Sequence, residues 1–571
     1  MSNKLVARWV GVIILMLFCV LLLSMHGGLL FRGVLSGSFD DPDAYYLLDI
    51  LYYGHHGVPL GMVPSVLETG GAWIHWSHLY IWAVDIFARG VHGMGVSLDK
   101  SMFVALAMFS VLPWCASLVC VFLSTENRKV TLGSIWVFLA LMVPNMIWVQ
   151  YGSPLRGTHH MLMMWCMSML WLGIFRGWSG YMLAFISALG MWVSPEVFPL
   201  ILLALSALVV DDARLGDAMR MSGALLVLLD ILVVLDPGPA KYGPWMPDHV
   251  SLAYVVLFGI ICGAVYGIRR YADILLWWKR VIVLILAVAI WVLVTPGISS
   301  GVHGIIPDDL YLAWYRHISE IQPTYLWPST LLLVQDVLSG LLATWLLYRS
   351  GSRSDFVLLL GMWVYAVLSL LHVRSVLPFT LLVGLSLIRG YQRITPRSFW
   401  IIWLPVCFGL FFAWVSLPSL YMDKGEIVNA SDHRCTTDLA KNDLSALLGP
   451  GHRAFVMEPN LVPEFLWNMR GQDVRVTGGS YHRDHDALRL FYWVADDTGD
   501  FSYAHGVMDS RHLSYVVLCN YPQKTLDKVP DNEKKNLWYH LLVGTGPDWL
   551  TELPKMPGNI RVFKLTSLPP S

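Results

Sequence analysis

The stretch from Leu252 to Val294 reads LAYVVLFGIICGAVYGI, then RRYADILLWWKR, then VIVLILAVAIWVLV. Two apolar runs, Leu252–Ile268 and Val281–Val294, flank a break at Arg269–Arg280 that contains four basic residues. A membrane-spanning helix needs about 20 predominantly apolar residues, and charged side chains are costly in the hydrocarbon region. The stretch therefore predicts two transmembrane helices joined by a short basic loop.

The same alternation of apolar runs and short polar breaks extends over most of the chain. Of its 571 residues, 56% are hydrophobic and 14% are charged, whereas about a quarter of the residues in a soluble domain are charged. The net charge of -1 gives no reason to expect nucleic acid as a partner. We predict a polytopic α-helical membrane protein with about 13 spans. The predicted spans are Trp9–Leu30, Met102–Leu123, Leu132–Val149, His160–Ile174, Tyr181–Val193, Phe198–Val210, Met221–Leu235, Leu252–Ile268, Val281–Val294, Pro328–Leu347, Phe356–Leu371, Leu377–Ile388 and Phe399–Leu417.

Basic residues predict the orientation of these spans, because short loops rich in Lys and Arg stay in the cytoplasm. The apolar segment Leu79–Gly95 contains Asp85, Arg89 and His92, and counting it as a span would move the basic loop Asn127–Lys129 to the outer face. We therefore predict that this segment is an amphipathic helix in the membrane interface. The protein is expected in the inner (plasma) membrane, with its N-terminus in the cytoplasm.

The C-terminal part of the chain has an ordinary soluble composition. Residues 1–420 form the predicted transmembrane domain, and residues 421–571 form a predicted extracytoplasmic (periplasmic) domain. Short apolar stretches and one helical stretch in the latter predict a small α/β domain. These stretches are Arg453–Met457, Val474–Thr477, Leu513–Cys519 and the helical Asn536–Leu542.

Two cysteines, Cys435 and Cys519, lie in the C-terminal domain. If that domain faces an oxidising compartment, they are a candidate disulfide. The other six cysteines lie in apolar runs and are expected to be small core residues.

Three carboxylates lie just outside the first predicted span, in the sequence FDDPDAYY at Phe39–Tyr46. Asp40, Asp41 and Asp43 create a local negative field that suits a divalent cation. An acidic loop exposed to water would have the same composition, so the residues alone leave both interpretations open.

Two further outer loops carry polar residues at helix boundaries. The run Arg156–His160 (RGTHH) enters a predicted span, and its histidine pair suits either a metal ion or a hydrogen-bonded interfacial pair. Glu196 follows Ser194 and Pro195 between two apolar runs. It either has a polar partner or lies in the first turn of a helix capped by Ser194.

The last two outer segments carry a glutamate and an arginine. Glu320 lies in His317–Thr324 (HISEIQPT), and His372 and Arg374 lie in the turn after a predicted span. Glu320 is a candidate functional residue or an ordinary loop residue, and Arg374 should either bind an anion or snorkel to water. Together the outer segments contain the groups needed for a metal-assisted reaction on a phosphate-bearing substrate.

This order of elements resembles the catalytic subunit of oligosaccharyltransferase and its bacterial and archaeal relatives, which are GT-C glycosyltransferases with a polyprenyl-linked sugar donor. Asp43–Tyr46 is similar to the first-loop motif, whose aspartate is catalytic and binds metal. Asp41–Pro42 is similar to the Asp-Pro form of that motif, so the register stays ambiguous between the two aspartates. Ile318–Glu320 is similar to the Ser-Val-Ser-Glu motif, and Val373–Ser375 is similar to the element that grips the donor phosphates.

Two departures from the family pattern limit what the resemblance implies. Thr158 and His160 stand about where carboxylates of the second loop are expected, so a metal site would contain histidine, be weaker or be absent. The tail lacks the Trp-Trp-Asp motif that reads the acceptor in asparagine glycosylation, which argues against that reaction. The polar run Tyr481–Asp486 serves another acceptor or forms an exposed turn. We assign the chain to a divergent bacterial branch of the superfamily.

The resemblance implies transfer of a sugar or oligosaccharide from a polyprenyl phosphate or diphosphate to a glycan, lipid or protein acceptor on the outer face, with a divalent cation, Mg²⁺ or Mn²⁺. The implied residues are Asp43, Asp41 and Glu320 for catalysis, Arg374, His372 and Arg156 for the donor phosphate, and Asp43, His159, His160 and Glu320 for the metal. The alternatives are an inactive relative that binds the polyprenyl lipid and a lipid or sugar transporter. A transporter predicts charged residues at mid-membrane, whereas those of this chain gather at the predicted outer boundary.

Overall fold

The structure is a computed structural model in which two compact units are distinguished. It describes residues 38–39, 41–66, 71–73, 76–124, 148, 151–238, 243–295, 309–310, 330–348, 352–391, 435–448, 451–472, 474–477 and 485–566. Unit 1 comprises Met1–Gly37, His75–Ile305 and Trp314–Leu417, and unit 2 comprises Ser38–Ile74, Ile306–Ala313 and Pro418–Ser571. The segment Ser38–Ile74, which contains Asp41 and Asp43, therefore belongs to the same unit as the C-terminal domain, although it is separated from that domain by most of the chain.

One helix of unit 2 comes first in the described chain, and a two-stranded antiparallel ribbon follows it. Helix α1 is Pro42–His55, and the ribbon pairs β1, Met62–Val63, with β2, Ala72–Trp73.

The secondary structure of unit 1 consists of helices in its described residues. Its helices are α2 (Leu79–Gly93), α3 (Leu98–Leu123), α4 (His160–Arg176), α5 (Gly180–Val193), α6 (Phe198–Val209), α7 (Leu215–Leu235), α8 (Leu252–Arg270), α9 (Trp277–Val294), α10 (Thr330–Tyr348), α11 (Arg353–Leu371) and α12 (Val376–Tyr391).

Six helices in the described part of unit 1 are long and apolar enough to cross a membrane, which makes the chain an integral membrane protein. The helices α3 to α12 coincide closely with ten of the predicted spans. Three predicted spans, Trp9–Leu30, Leu132–Val149 and Phe399–Leu417, lie outside the described residues apart from Trp148. The total of about 13 spans therefore stays a prediction.

Helix α2 occupies the segment that the sequence predicts as an amphipathic interfacial helix. It buries Tyr80, Ile81 and Val84 on one face, whereas Ile86 on the other face is 71% exposed. With 15 residues it is about 22 Å long, which is shorter than the roughly 30 Å hydrocarbon core of a bilayer.

Arginines gather at one end of the helical unit, which we call the basic end. Arg280 is 4% exposed, donates to the Val209 and Ala272 carbonyl oxygens, and pairs with Asp212 at 2.6 Å. Arg353 pairs with the same aspartate at 3.0 Å. A buried guanidinium group with as many acceptors as that of Arg280 fixes the helix ends that supply those acceptors.

Three more arginines hold other helix ends at the basic end. Arg176 donates to the carbonyl oxygen of Leu123 at the end of α3, and Arg214 donates to that of Ile174 in the last turn of α4. Arg389 of α12 pairs with the buried Asp355 of α11 at 2.6 Å. These arginines lie in or beside the basic breaks between predicted spans, which are predicted to face the same side of the membrane. In the structure these breaks lie at one end of unit 1.

The C-terminal part of unit 2 contains a five-stranded sheet in the order β4-β3-β5-β7-β6. Strands β3, β4 and β5 are parallel, whereas β7 runs antiparallel to β5 and β6. The helices and strands are α13 (Lys441–Leu447), β3 (Arg453–Val456), α14 (Val462–Asn468), β4 (Arg475–Thr477), α15 (His485–Ala495), α16 (Ser502–Ser510), β5 (Tyr515–Cys519), α17 (Gln523–Leu526), α18 (Leu537–Val543), β6 (Leu550–Glu552) and β7 (Ile560–Leu565).

Burial explains the central position of β5. All five residues of Tyr515–Cys519 are buried, and a strand covered on both faces is a near-continuous apolar run. The predicted strands Arg453–Met457, Val474–Thr477 and Leu513–Cys519 correspond to β3, β4 and β5, and the predicted helix Asn536–Leu542 corresponds to α18. The small C-terminal sheet of the prediction is therefore present.

Candidate functional site

The end of unit 1 opposite the arginines carries five residues that are predicted to be functional, namely Arg156, His159, His160, His372 and Arg374. Here α4 begins, α5 and α7 end, α8 begins and α11 ends. We call this the polar end. The polar end arises from the order of the helices. Because successive helices of a bundle alternate in direction, every second break along the chain lies at the same end.

His159 and His160 lie at the start of α4, with stacked rings whose centroids are 4.5 Å apart. Both are buried, and His160 Nδ1 lies 3.1 Å from the hydroxyl oxygen of the equally buried Thr158. The Trp76 ring lies 5.5 Å from that of His159. Thr158 thus occupies one nitrogen of His160 and fixes the orientation of that ring.

Arg156 precedes the histidine pair and contacts an aromatic ring. Its guanidinium carbon lies 4.5 Å above the ring of Tyr151, and a cation over an aromatic face is held by the quadrupole of the ring. The same Tyr151 ring lies 4.9 Å from that of His160. Arg156 is therefore held beside the histidines that follow it.

Arg374 and Glu196 form an ion pair at the polar end. The Nη1 atom of Arg374 lies 2.8 Å from Oε1 of Glu196, and both side chains are more than one-third exposed. Ser194 caps the helical turn Pro195–Val197 by accepting from the Glu196 amide, so the predicted helix start is confirmed. The structure thus brings together two residues that were predicted as separate functional candidates.

His372 is the cap residue at the end of α11, two residues before Arg374, and its side chain is exposed. It therefore lies in the same turn as the arginine, as the sequence requires.

A second polar cluster at this end consists of His78, Asp236 and His249. The Asp236 side chain is 2% exposed and lies 2.6 Å from Nδ1 of His78 and 3.5 Å from Nε2 of His249. Trp192 Nε1 donates to the same carboxylate at 2.8 Å. Burial raises the pKa of Asp236, but the close approach of His249 together with the hydrogen bonds and charge of His78 outweighs burial and holds this pKa well below its usual range.

Asp41 and Asp43 belong to unit 2, where they begin α1. Asp41 is the N-cap, its Oδ1 accepts from the Asp43 amide at 2.9 Å, and Pro42 takes the first helical position. Asp43 lies in the first turn. The sequence leaves open which of the two aspartates corresponds to the family motif. In the structure they have different positions: Asp41 caps the helix, and Asp43 adds negative charge to its N-terminus.

Two carboxyl groups of unit 2, one buried and one partly buried, were not predicted. Asp49 of α1 is fully buried, and its two carboxyl oxygens have no hydrogen-bond partner among the described residues. Burial raises its pKa well above the usual range, and the charge of Arg470 offsets this only in part. Its signal in the sequence is an aspartate within the apolar run Leu47–Leu51.

Glu458 is the second unpredicted carboxyl group and lies two residues after the C-terminal end of β3. Its Oε1 accepts from the Tyr521 hydroxyl at 3.0 Å and from the indole of Trp538 at 3.4 Å. Burial raises the pKa of Glu458 to about 7, although these two hydrogen bonds act in the opposite direction. No spacing in the sequence connects these three residues, which only the fold brings together.

Glu320 and residues 481–484 of the polar run Tyr481–Asp486 lie outside the described residues. Cys435 and Cys519 form a disulfide in unit 2 with a Cα–Cα distance of 5.5 Å. It connects the segment before α13 to the central strand β5.

The donor atoms at the start of α4 are compatible with a transition metal. A histidine ligand usually donates the N–H of its second nitrogen to a neighbouring oxygen, and Thr158 supplies such an oxygen to His160. Imidazole suits Mn²⁺ or Zn²⁺ better than Mg²⁺, which prefers oxygen ligands.

No protein-family model matches the chain, and no curated protein matches it in sequence. In structure, it is similar to the oligosaccharyltransferase AglB from Archaeoglobus fulgidus in complex with an inhibitory peptide and a dolichol-phosphate. The TM-score is 0.62 at 11% identity, over 93% of this chain and 79% of that chain. An A. fulgidus oligosaccharyltransferase in complex with Zn and sulfate gives a TM-score of 0.52 at 12% identity, over 86% of this chain and 67% of that chain.

ArnT from Cupriavidus metallidurans, bound to undecaprenyl phosphate, matches at 11% identity over 95% of this chain and 97% of that chain. Its TM-score of 0.42 is too low to support an argument. The likeness to the archaeal enzymes extends through both units, including the sheet-containing C-terminal part. The chain therefore has the GT-C fold of the oligosaccharyltransferase catalytic subunits.

Proposed function

We propose that the protein is a membrane glycosyltransferase that transfers a sugar or oligosaccharide from a polyprenyl phosphate or diphosphate to an acceptor on the extracytoplasmic side. The observation that carries the proposal is the TM-score of 0.62 to AglB over 93% of the chain. A fold alone does not determine a function. The arrangement of polar groups at the polar end supplies the second argument.

The donor that we propose has a lipid tail and an anionic head. AglB was solved with dolichol-phosphate, a molecule of this class. The apolar helices of unit 1 suit the lipid tail, and Arg374, His372 and Arg156 supply positive or hydrogen-bonding groups at the polar end. An arginine binds phosphate oxygens through several parallel N–H donors.

Arg374 is the residue that we propose for the departing phosphate. Negative charge grows on this group as the sugar–phosphate bond breaks, so a fixed guanidinium stabilises the transition state more than the ground state. Glu196 holds Arg374 at 2.8 Å and thereby orients the guanidinium. The ion pair costs little to rearrange because both partners are partly exposed to water.

We propose that His159 and His160 bind a divalent cation, whose charge would offset that of the donor phosphate. Mn²⁺ fits the histidine-containing donor set better than Mg²⁺. Asp43 or Asp41 then serves as the base that accepts the acceptor's proton.

We place the polar end and unit 2 outside the cell membrane and the basic end in the cytoplasm. Short basic loops favour the cytoplasm, and six arginines of unit 1 lie at one end, namely Arg176, Arg214, Arg220, Arg280, Arg353 and Arg389. The Cys435–Cys519 disulfide favours an oxidising compartment for unit 2.

The test measures transfer of radiolabelled sugar from polyprenyl-linked monophosphate and diphosphate donors in membranes that contain the protein. Asp43→Asn is compared with wild type, each with and without a chelator. We expect the wild-type protein to transfer sugar, and we expect both the Asp43→Asn substitution and the chelator to abolish this transfer. The matched control is Asp273→Asn, which changes an exposed aspartate beyond the end of α8 and should retain full activity.

Two outcomes would change the proposal. Transfer that survives Asp43→Asn but fails with chelator would move the catalytic role to Asp41. A wild-type protein that neither binds nor hydrolyses any of the donors would exclude a transferase.

A further inference from the structure

The cluster of His78, Asp236 and His249 joins three segments of unit 1 that are distant in sequence. His78 precedes α2, Asp236 follows α7, and His249 precedes α8. One ligand atom from each lies within 4.8 Å of the other two. This is close enough for the three side chains to contact one ion after small rotations.

The hydrogen bonds of His249 define which of its nitrogens faces Asp236. Its Nδ1 lies 2.8 Å from the carbonyl oxygen of Val250. A carbonyl oxygen only accepts, so Nδ1 carries the proton. The Nε2 atom then faces Asp236 Oδ1 at 3.5 Å and makes no hydrogen bond with any described residue, although the side chain is only 1% exposed.

The two oxygens of Asp236 have different roles. Oδ2 accepts from the backbone amide of His78 and from the indole of Trp192, both at 2.8 Å. Oδ1 faces the two imidazole rings at 2.6 Å and 3.5 Å. The hydrogen bonds to Oδ2 therefore orient the carboxylate, and its other oxygen is directed towards two nitrogen ligands.

A buried Nε2 without a partner is an expensive arrangement. A buried nitrogen without a hydrogen bond loses its contact with water and gains no partner in return, and a lone pair facing a carboxylate oxygen is repelled by it. A metal ion bound by both atoms removes both costs. The Val250 carbonyl already provides the outer-shell contact that orients the histidine ligands of metal sites.

We propose that His78, Asp236 and His249 form a metal site for Zn²⁺ or a similar transition metal. Two imidazoles and one carboxylate are ligands that Zn²⁺ accepts in sites with three protein ligands, whereas Ca²⁺ and Mg²⁺ prefer oxygen ligands. The site uses none of the residues proposed above for donor binding or catalysis. Bound metal links the segments before α2, after α7 and before α8 and stabilises the polar end.

The test measures metal binding by the full-length protein purified in detergent and stripped of metal with a chelator. We expect wild type to retain one more equivalent of zinc after desalting than His249→Gln does. Cobalt should give the visible absorption of a tetrahedral Co²⁺ site in wild type only. His92→Gln is the matched control, because His92 is an exposed histidine at the end of α2, and its zinc content should equal that of wild type.

A second measurement covers the case in which His249→Gln fails to fold. Asp236→Asn keeps the size of the side chain and an acceptor for the Trp192 indole, and added zinc should raise the Tm of wild type but not that of this variant. Equal zinc content in wild type and both cluster variants would overturn the proposal. Neither measurement uses a sugar donor, so its failure is distinguishable from failure of the proposed transferase.

Discussion

Arg374 and Glu196 are 178 positions apart in the chain, yet Nη1 of Arg374 donates to Oε1 of Glu196 over 2.8 Å. The pair connects the turn after α11 with the turn after α5. An ion pair of exposed residues contributes little to stability, so its importance lies in the position that it gives to the guanidinium.

Replacement of Arg374 by Gln should lower sugar transfer by about 100-fold or more, because the variant loses a charged contact that strengthens in the transition state. Glu196→Gln should have a smaller effect, since it removes only the orienting charge. Transfer rates at saturating donor measure both. The control Arg220→Gln changes an arginine at the basic end that is 53% exposed. A rate for Arg374→Gln equal to that of this control would refute the assigned role.

The two ends of unit 1 should lie on opposite sides of the membrane. A cysteine that replaces His92, shortly before α3, should react with a membrane-impermeant maleimide in intact cells. A cysteine that replaces Arg269, at the end of α8, should react only after permeabilisation. Both substitutions change exposed residues, and both are made in a protein whose unpaired cysteines are serine. Labelling of the two positions under the same conditions would contradict the orientation.

Loss of the disulfide should destabilise unit 2. The bond between Cys435 and Cys519 closes a loop with a sequence separation of 84 residues, and such a cross-link stabilises a fold by about 2–5 kcal/mol. Cys519→Ser should therefore lower the thermal midpoint, and added reductant should lower that of wild type but not of the variant. Cys262→Ser removes an unpaired cysteine of unit 1 and serves as the control. A reductant effect of equal size in Cys519→Ser would show that another bond is responsible.

Glu458 should make stability depend on pH. Its pKa in the fold is about 7, above its ordinary value of 4.5, so the fold prefers the protonated carboxyl group. The free energy of unfolding is then highest below the ordinary pKa, falls as the pH rises towards 7, and is flat above it. For a partly buried group we expect a total change of about 2–3 kcal/mol.

The substitution Glu458→Gln isolates this effect, because the amide oxygen still accepts from Tyr521 and Trp538. The thermal midpoint of wild type should fall between pH 5 and pH 7.5 by more than that of the variant, as measured on the purified protein. Asp509→Asn, at an exposed aspartate of α16, should behave like wild type. An identical pH profile for wild type and Glu458→Gln would exclude Glu458 as the responsible group.

The sequence by itself determined the class of the protein and most of its elements. Apolar runs of sufficient length have few alternatives to a membrane-spanning helix, because backbone groups in lipid must be hydrogen-bonded internally. Ten predicted spans coincide with the helices α3 to α12, six of which are long and apolar enough to cross a membrane, and three predicted strands coincide with β3, β4 and β5. Ser194, Pro195 and Glu196 likewise gave a correct helix start, because capping depends on neighbouring residues.

Only the tertiary structure decided which distant residues meet. Packing of helices and strands that are distant in sequence produces three such contacts. They are the pairing of Arg374 with Glu196, the cluster of His78, Asp236 and His249, and the contact of Glu458 with Tyr521. The grouping of Ser38–Ile74 with the C-terminal residues in unit 2 has the same origin. Local patterns report the periodicity of one segment, whereas these contacts depend on how separate segments pack together.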